Sequence, residues 1–541
     1  MDIDETNIGN DTTKTGLKRG MTTHEAIMFG VGGAVGSGIL FAAAGGTAYA
    51  GPAVIISWIL TAAFIVLVTL PFAEYAAMFP RSGISARIAY YSYGSYGGFL
   101  SGWALLIWAA TIPAIEAVAV STYASFYFPF LYNPKLGILT DYGILLSILL
   151  MLGFFALNLV GISRFGKFNK FLTWVKIGVV VGFIVILPLF IFHPSDFTAP
   201  SFAPSIGGIF IAIPASGILF SFGGYRQVAD MAGEVKNPGK TMPKIIGSVL
   251  AIQSLLYIGM AVVIVGTVSW VGFKEPVGDW AYVAARGSPL ADIMRANIPF
   301  VPAGVGGLLT VLIVIFVLFA IFSPGGTLGV YLTGASRIIF GYSEEKALPD
   351  IFKKANKHGA PYVALILSVV LAIIFLVPLP SWYALVDFVV VAAVANFSVA
   401  SLSLPVLRRL YPDVERPFKI PYPMLWSFSA FIIATYLIYW ATYPTTLYAL
   451  GATLAGSLIF IYQAYKRDFK NLNLKNSVWI PFYLIGLILL SYFGGYPTGG
   501  TNLIAYPYDY LVLFFYSIAF WAIGLKSAPK ERIMEEGALL D

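Results

Sequence analysis

The residues of this sequence that could do chemistry stand inside strongly apolar segments. Glu74, Glu116, Lys176, Arg226 and Asp387 each lie within or at the edge of such a run. A charge is costly at membrane depth, so these side chains are expected to face the protein interior and to pair, bind or transfer protons. Their positions predict ion or proton chemistry inside a membrane protein.

Groups suited to catalysis are poorly represented. The 541 residues contain no Cys, which excludes disulfides, thiol catalysis and zinc held by thiolates. The three His residues, His24, His193 and His358, are far apart and have no metal-ligand spacing. The glycines at 30–38 have no following Lys, as a phosphate-binding loop would require. We therefore expect no enzyme, no cofactor and no metal site.

Two apolar segments are interrupted by glycine. Residues 30–38 read Gly-Val-Gly-Gly-Ala-Val-Gly-Ser-Gly, and residues 221–225 read Ser-Phe-Gly-Gly-Tyr. Backbone freed at membrane depth is tolerated only where it is buried in protein or lines a cavity. Interrupted helices in the first and sixth positions are expected of an inverted repeat of five plus five helices, as in secondary transporters. The alternative is that either cluster only permits close helix packing.

The composition requires a membrane protein. The chain is 58% hydrophobic and 11% charged, with a mean hydropathy of +0.82, so an all-α integral membrane fold is expected. Apolar runs predict about fourteen spans. They are placed near 24–50, 53–79, 97–129, 141–162, 168–192, 205–235, 241–270, 302–341, 361–379, 382–410, 423–443, 445–466, 478–496 and 508–526.

Basic residues indicate the orientation of these spans. Only Lys135, Lys274, Arg286 and Arg295 fall in loops on one side, whereas most of the 33 Lys and Arg fall on the other. This bias predicts a multi-pass protein of the cell membrane with both termini in the cytoplasm. The net charge of +7 follows from the same bias and needs no nucleic-acid partner. No cleavable signal peptide is expected before the first span.

Several motifs resemble the amino acid–polyamine–organocation (APC) superfamily of permeases. They occur in order between about residues 20 and 425: Gly36-Ser37-Gly38-Ile39 in the first break, 73–83 closing the second span, 232–238 ending the sixth, 335–349 with 358–362 between the eighth and ninth, and 407–421 after the tenth. The resemblance implies a LeuT-like core with discontinuous helices one and six. It does not identify a substrate.

The resemblance also implies a substrate site at the two breaks. Free N–H groups of Gly36, Ser37 and Gly38 would hold a substrate carboxylate at a helix N-terminus, and freed carbonyls would accept from its ammonium. Phe220 matches an aromatic residue that caps the substrate. The implied substrate-binding residues are Ala34, Gly36, Ser37, Gly38, Phe220, Ser221 and Gly223.

Lys176 matches a position where sodium-independent relatives place a Lys in the space of a sodium ion. Its ammonium would reach the first and eighth helices, where Ser323 or Thr327 could be partners. By losing its proton during the cycle, it could couple transport to protons. The alternative is a Lys that extends to the cytoplasmic interface.

Arg226 departs from the superfamily pattern, which usually has an acidic residue directly after the sixth-helix break. One interpretation is an ion pair with Glu116 or Asp230. The other is that Arg226 faces the site and favours a substrate with an anionic side chain. With Lys176 it places positive charge where a coupling cation would bind, so sodium coupling is disfavoured. Glu116 is open to two roles, proton relay or counter-ion of Arg226.

Two further acidic residues and one segment have expected positions outside the site. Glu74 should pair with a basic loop residue, and Asp387 should lie near the outer surface. Residues 276–298 resemble an outer lid.

The sequence therefore predicts an amino-acid permease that works by alternating access, as a proton symporter or as an exchanging antiporter. Its partners would be a small-molecule substrate, namely an amino acid, together with protons and the lipid bilayer. The alternatives are a transporter of polyamines or other organic amines, which Arg226 would oppose, and a non-transporting nutrient sensor. The transported substrate and the oligomeric state stay open. The expected division is a cytoplasmic tail (1–20), a transport core (21–410, with repeats at about 24–192 and 205–410), additional helices (411–526) and a second cytoplasmic tail (527–541).

Overall fold

The chain folds into a bundle of helices. The computed structural model describes residues 20–81, 83–159, 162–344, 348–356, 360–466, 474–495 and 499–533. Most of both predicted tails, together with His358 of the loop motif, lies outside these ranges. A short antiparallel hairpin of β1 (Tyr132–Asn133) and β2 (Ile138–Leu139) pairs Tyr132 with Leu139.

The α-helices are numbered in chain order. They are α1 (Thr23–Ala34), α2 (Gly38–Ala50), α3 (Val54–Met78), α4 (Ile84–Ala124), α5 (Asp141–Leu159), α6 (Ile162–Ile191), α7 (Ile206–Ala215), α8 (Ile218–Ser221), α9 (Gly224–Ala229), α10 (Pro238–Gly266), α11 (Trp270–Phe273), α12 (Trp280–Ala284), α13 (Pro289–Asn297), α14 (Ala303–Glu344), α15 (Tyr362–Leu376), α16 (Trp382–Leu410), α17 (Pro423–Trp440), α18 (Thr445–Lys466), α19 (Trp479–Phe493) and α20 (Tyr508–Ser527). Short 3-10 helices occupy Gly51–Ala53, Pro129–Leu131, Pro194–Thr198, Ala232–Glu234, Ile298–Phe300 and Asp350–Lys353.

The helices agree in outline with the predicted spans. In the described part of the chain, ten helices are long and apolar enough to cross a membrane, or eleven if the bent pair α7 and α8–α9 is one span. The count of fourteen stays a prediction. The predicted start of the third span near residue 97 agrees with a kink at Gly94, where φ is 85° and ψ −168°: α4 consists of a first stretch from Ile84 and a second, apolar stretch that begins directly after this kink. The predicted separation near Pro444 is confirmed by the gap between α17 and α18.

The first predicted break is present. Helix α1 starts with a capping box in which Thr22 and Glu25 bond each other's backbone N–H, and it ends at Ala34. Val35 has non-helical angles (φ −74°, ψ 77°), and α2 starts at Gly38. The chain is therefore helical on both sides of a gap of three residues, 35–37.

The second break begins earlier than predicted. Helix α7 ends at Ala215, directly after Pro214, and Gly217 takes φ 83°, where a side chain would be strained. A further interruption at Phe222 and Gly223 separates α8 from α9. The axis bends by 48° between the two halves.

Helices α4 and α16 lie at the centre of the bundle. The most apolar stretch of each is completely buried, whereas that of α5 is only 17% buried. Residues 276–298, predicted as an outer lid, form α12 and α13 and bury Trp280, Val283, Leu290 and Ile293 against the bundle. Asp387, predicted near the outer surface, lies early in α16 with 6% exposed, so its side chain is packed inside protein.

Glu74 joins α3 to the loop after α16, as predicted. Its carboxylate accepts two hydrogen bonds from Arg408, at 2.9 and 2.7 Å, and one from the N–H of Ile420 at 2.9 Å. Arg416 Nε lies 3.9 Å from the same carboxylate. Two basic side chains and a loop backbone are thus held by one buried acid.

Replacing Glu74 by alanine should destabilise the protein strongly. The change leaves the partly buried guanidiniums of Arg408 and Arg416 without their anion, which typically costs about 3–5 kcal/mol. Thermal unfolding in detergent should show a clearly lower melting temperature. Asp413→Ala is the matched control, because Asp413 pairs with Arg532 at an exposed site and such pairs contribute about 1 kcal/mol or less. Equal melting temperatures for the two variants would contradict the prediction.

Candidate functional site

The carbonyl groups freed at the first break are bonded by side chains from other helices. The oxygen of Ala34 lies 3.0 Å from the hydroxyl of Tyr257 in α10 and accepts from the N–H of Gly36 at 2.8 Å. The oxygen of Val35 accepts from Ser323 Oγ in α14 at 2.9 Å. These bonds stabilise non-helical backbone that lipid could not satisfy.

The N–H of Ser37 is bonded by a carboxylate of the protein itself. Glu116 Oε2 in α4 accepts from Ser37 N at 3.1 Å, and Oε1 accepts from Ser37 Oγ at 3.0 Å. Glu116 is 1% exposed. The prediction of free N–H groups is therefore wrong in this conformation for Ser37, because Glu116 occupies the position expected for a substrate carboxylate. It is also wrong for Gly36, whose N–H donates to the Ala34 oxygen. The prediction that an anion binds at Ser37 still agrees with the partial positive charge at the start of α2.

Glycine at position 36 lets this carboxylate approach. A Cβ at Gly36 would lie 3.0 Å from Glu116 Oε1 and 3.0 Å from Thr327 Oγ1. Both distances are shorter than ordinary contacts, and the two oxygens lie on different helices. Glycine is therefore needed at position 36, because α4 and α14 approach the break too closely to leave room for a side chain.

Lys176 connects the break to α14. Its side chain is completely buried, and Nζ donates to the carbonyl oxygen of Gly32 at 2.9 Å and to Thr327 Oγ1 at 3.3 Å. The ammonium thus contacts the first and eighth helices, with Thr327 and not Ser323 as the partner in α14. The alternative of a Lys that extends to the interface is wrong for this conformation.

The two breaks lie side by side. The Tyr257 hydroxyl is 3.0 Å from the carbonyl oxygens of both Ala34 and Ser221, and it can donate its one proton to either. A Cβ at Gly38 would overlap Ser221 Oγ. The predicted substrate-binding residues of the two segments are therefore brought together around one point.

Aromatic rings surround this point. The ring of Phe220 lies 5.6 Å from that of Trp108 and 6.1 Å from that of Trp382. The carbonyl oxygen of Phe220 accepts from Gly223 N at 3.1 Å. Because a carbonyl has two lone pairs, the oxygen of Phe220 can accept a further bond. The oxygen of Ala34 can do so when Tyr257 donates to Ser221 instead.

Arg226 does not form either predicted ion pair. Both oxygens of Glu116 bond Ser37, and Asp230 Oδ1 accepts from Ser85 N at 2.9 Å. Neither terminal nitrogen of Arg226 has a hydrogen-bond partner within the part of the chain that the structure describes. The structural interpretation of Arg226 as a counter-ion is therefore wrong for this conformation.

Comparison with known proteins identifies the family. Residues 21–464 match the family described as "Amino acid permease". The chain belongs to this family. It is 31% identical to the "Glutamate/serine transporter AimA" of Bacillus subtilis, over 96% of each chain. It is 30% identical to the "Aspartate-proton symporter" of the same organism, over 94% of this chain and 96% of the relative. It is 27% identical to the "Branched-chain amino acid permease BcaP" of Bacillus subtilis, over 84% of this chain and 95% of the relative.

Membership confirms the APC resemblance and supports a multi-pass membrane protein. It also agrees with the prediction of a transporter rather than an enzyme. One residue at the candidate site was not predicted from the sequence: Tyr257, whose hydroxyl lies between the breaks. Only its place in the apolar run of α10 was available from the sequence, and that place is equally typical of a core aromatic residue.

Proposed function

We propose that this permease is a secondary active amino-acid transporter, independent of sodium and driven by protons or by exchange. The observation that carries the proposal is the hydrogen bond from Ser37 N to Glu116, in which a helix N-terminus binds a carboxylate. An amino acid offers the same group to the same N–H. The relatives named as glutamate/serine and aspartate–proton transporters support an amino-acid substrate, and the second supports protons.

Competition at Ser37 gives a physical route to proton coupling. While Glu116 is ionised it accepts from both Ser37 N and Ser37 Oγ. Two carboxylates cannot share these donors without strong repulsion. Protonation of Glu116 would remove the repulsion and free the N–H, so that proton and substrate bind together. We propose this exchange of carboxylates as the coupling step.

Lys176 would supply the positive charge that a sodium ion supplies in other transporters. Its ammonium contacts Gly32 O in α1 and Thr327 in α14. A cation at this position would hold the broken helix against α14 in every turnover, with no ion taken from solution. This supports the proposed independence of sodium.

The remaining site residues are assigned by their place at the breaks. The Gly38 N–H, and the Gly36 N–H once it releases the Ala34 oxygen that it now bonds at 2.8 Å, would complete the carboxylate site around Ser37. The carbonyl oxygens of Ala34, Phe220, Ser221 and Gly223 would accept from the substrate ammonium, with Tyr257 released from Ala34 or Ser221, and Phe220 would cap the substrate.

The transport step follows from the two breaks. The four spans one, two, six and seven, which are helices α1 to α3 and α7 to α10, would rock with the site against the rest of the core and expose it to each side alternately. The five-plus-five repeat is part of this proposal.

Uptake into liposomes tests the proposal. The purified chain would be reconstituted, and uptake of a labelled amino-acid mixture measured with an inward proton gradient, an inward sodium gradient or neither. A gradient of one pH unit corresponds to about 1.4 kcal/mol and supports about tenfold accumulation by a one-to-one symporter. We expect accumulation with protons, or rapid exchange into preloaded liposomes, and no response to sodium.

The outcomes separate the parts of the proposal. Accumulation that requires sodium would contradict the assigned role of Lys176. Neither accumulation nor exchange of any amino acid would contradict the proposed function as a whole.

A further inference from the structure

Arg226 is a buried cation whose terminal nitrogens have no hydrogen-bond partner among the described residues. It lies in α9, directly after the second break, with 6% exposed. Its guanidinium carbon lies 5.1 Å from the centre of the Trp108 ring and 4.9 Å from that of Phe397. Ring faces compensate in part for lost hydration, but they do not accept the in-plane N–H bonds of Nη1 and Nη2. A buried guanidinium of this kind is stabilised by an anion.

The acids of the protein near this position are engaged elsewhere. Glu116 bonds Ser37, and Asp230 bonds the start of α4 through Ser85 N. Buried polar groups are nearly always satisfied, so the unsatisfied terminal nitrogens of Arg226 indicate that an acceptor from outside the described residues binds here.

Arg226 also lines a cavity next to the proposed substrate position. The cavity runs from Leu219 and Gly223, at the second break, to Val394 and Phe397 in α16. Its walls are otherwise mostly apolar, and its volume is about 10 Å³, which is room for one water-sized group. Residues of the second break and the Arg226 guanidinium therefore line the same cavity.

We propose that Arg226 is a specificity-determining residue that binds the side-chain carboxylate of an acidic amino acid. This inference rests on the proposed function and identifies the substrate class of the same site. The substrate would place its backbone carboxylate and ammonium at the breaks and its side chain in the cavity. The guanidinium would donate two parallel N–H bonds to the second carboxylate. Because the cavity is smaller than a carboxylate, binding requires the Trp108 or Phe397 ring to move aside.

The charge of Arg226 discriminates among substrates. An acidic substrate side chain supplies the anion that the guanidinium lacks. A neutral side chain leaves the guanidinium unpaired, and a cationic side chain is repelled by it. Aspartate and asparagine have nearly the same shape and differ in charge, so their relative affinity isolates this effect. Loss of one hydrogen-bonded charge pair corresponds to about a 10- to 100-fold preference for aspartate.

Binding to the purified full-length chain in detergent tests the inference. Dissociation constants for aspartate, asparagine and lysine would be measured at one pH for the wild type, Arg226→Met and Arg226→Lys. We expect the preference for aspartate to fall to about one in Arg226→Met, mainly through weaker binding of aspartate, and to be retained in part in Arg226→Lys. Arg295→Met is the matched control, because Arg295 stacks on Phe126 at 3.8 Å in α13, away from the cavity, and its variant should keep the full preference.

Either of two results would overturn the inference about Arg226 and leave the proposed transport function intact. One is a preference for aspartate that is unchanged in Arg226→Met. The other is wild-type protein that binds asparagine or lysine as tightly as aspartate, which is decisive even if the variants do not fold. Wild-type protein that binds none of the three, and no amino acid of a wider panel, would overturn the proposed function together with the inference.

Discussion

Replacing Glu116 by glutamine is expected to remove the pH dependence of substrate binding while exchange continues. Glutamine has the shape of protonated Glu116 and keeps an oxygen that can accept from Ser37, but it carries no charge. At neutral pH the substrate carboxylate would no longer compete with an anion that holds Ser37 N and Ser37 Oγ at 3.1 and 3.0 Å. A hydrogen bond to a charged group contributes about 1.5–3 kcal/mol, so affinity at high pH should rise about 10- to 100-fold.

The direction of the wild-type pH effect follows from the same competition. Lower pH protonates Glu116 and frees the Ser37 N–H, so substrate affinity should increase as pH falls. Between pH 5 and 8, the substrate affinity of the wild type should therefore decrease as pH rises, whereas the affinity of Glu116→Gln should stay constant. In liposomes, the variant should exchange substrate but fail to accumulate it under a proton gradient.

A matched control separates this effect from the loss of any buried acid. Asp387 is also buried within a helix of the core, at 6% exposed, but it lies in α16 and makes no contact with Ser37. Asp387→Asn should keep the wild-type slope. A slope that persists in Glu116→Gln would show that another group carries the proton, and the proposed competition would be wrong.

The positions of the breaks could be predicted because they depend on local sequence. Glycine inside an apolar run at 30–38 has few structural explanations, and the chain is non-helical there. The interruption predicted at 221–225 is present at Phe222 and Gly223, but an earlier one at 216–217 was not predicted, although Pro214 and Gly217 are signals of it. Local backbone chemistry therefore contained more information than the prediction used.

The partners of the freed backbone could not be predicted in the same way. Glu116 bonds Ser37 across 79 positions of sequence, and nothing near either residue indicates the other. Tyr257 is one of 32 tyrosines, and an apolar run gives no reason to choose it. These contacts are set by how α4 and α10 pack against α1, which depends on the whole bundle. A buried lysine is easier to place, because its cost at membrane depth restricts it to a few polar sites.

Lys176→Met is expected to reduce uptake at all pH values. Methionine nearly fills the volume of the lysine side chain but leaves Gly32 O and Thr327 Oγ1 without the ammonium, which lies 2.9 and 3.3 Å from them. It also removes a buried positive charge near Glu116. Each lost charge-assisted hydrogen bond corresponds to about 1.5–3 kcal/mol, so the initial rate of uptake should fall about 10- to 100-fold.

The result would distinguish the role of Lys176 from that of Glu116. A group that holds the broken helix against α14 affects exchange and accumulation alike, whereas a group that only carries the proton affects accumulation alone. Lys176→Met should therefore lose both activities, in contrast to Glu116→Gln. Lys244→Met, at an exposed position of α10, should retain both. Normal exchange by Lys176→Met would mean that the ammonium is not needed to hold the site together, and the proposed replacement of a sodium ion by this side chain would be wrong.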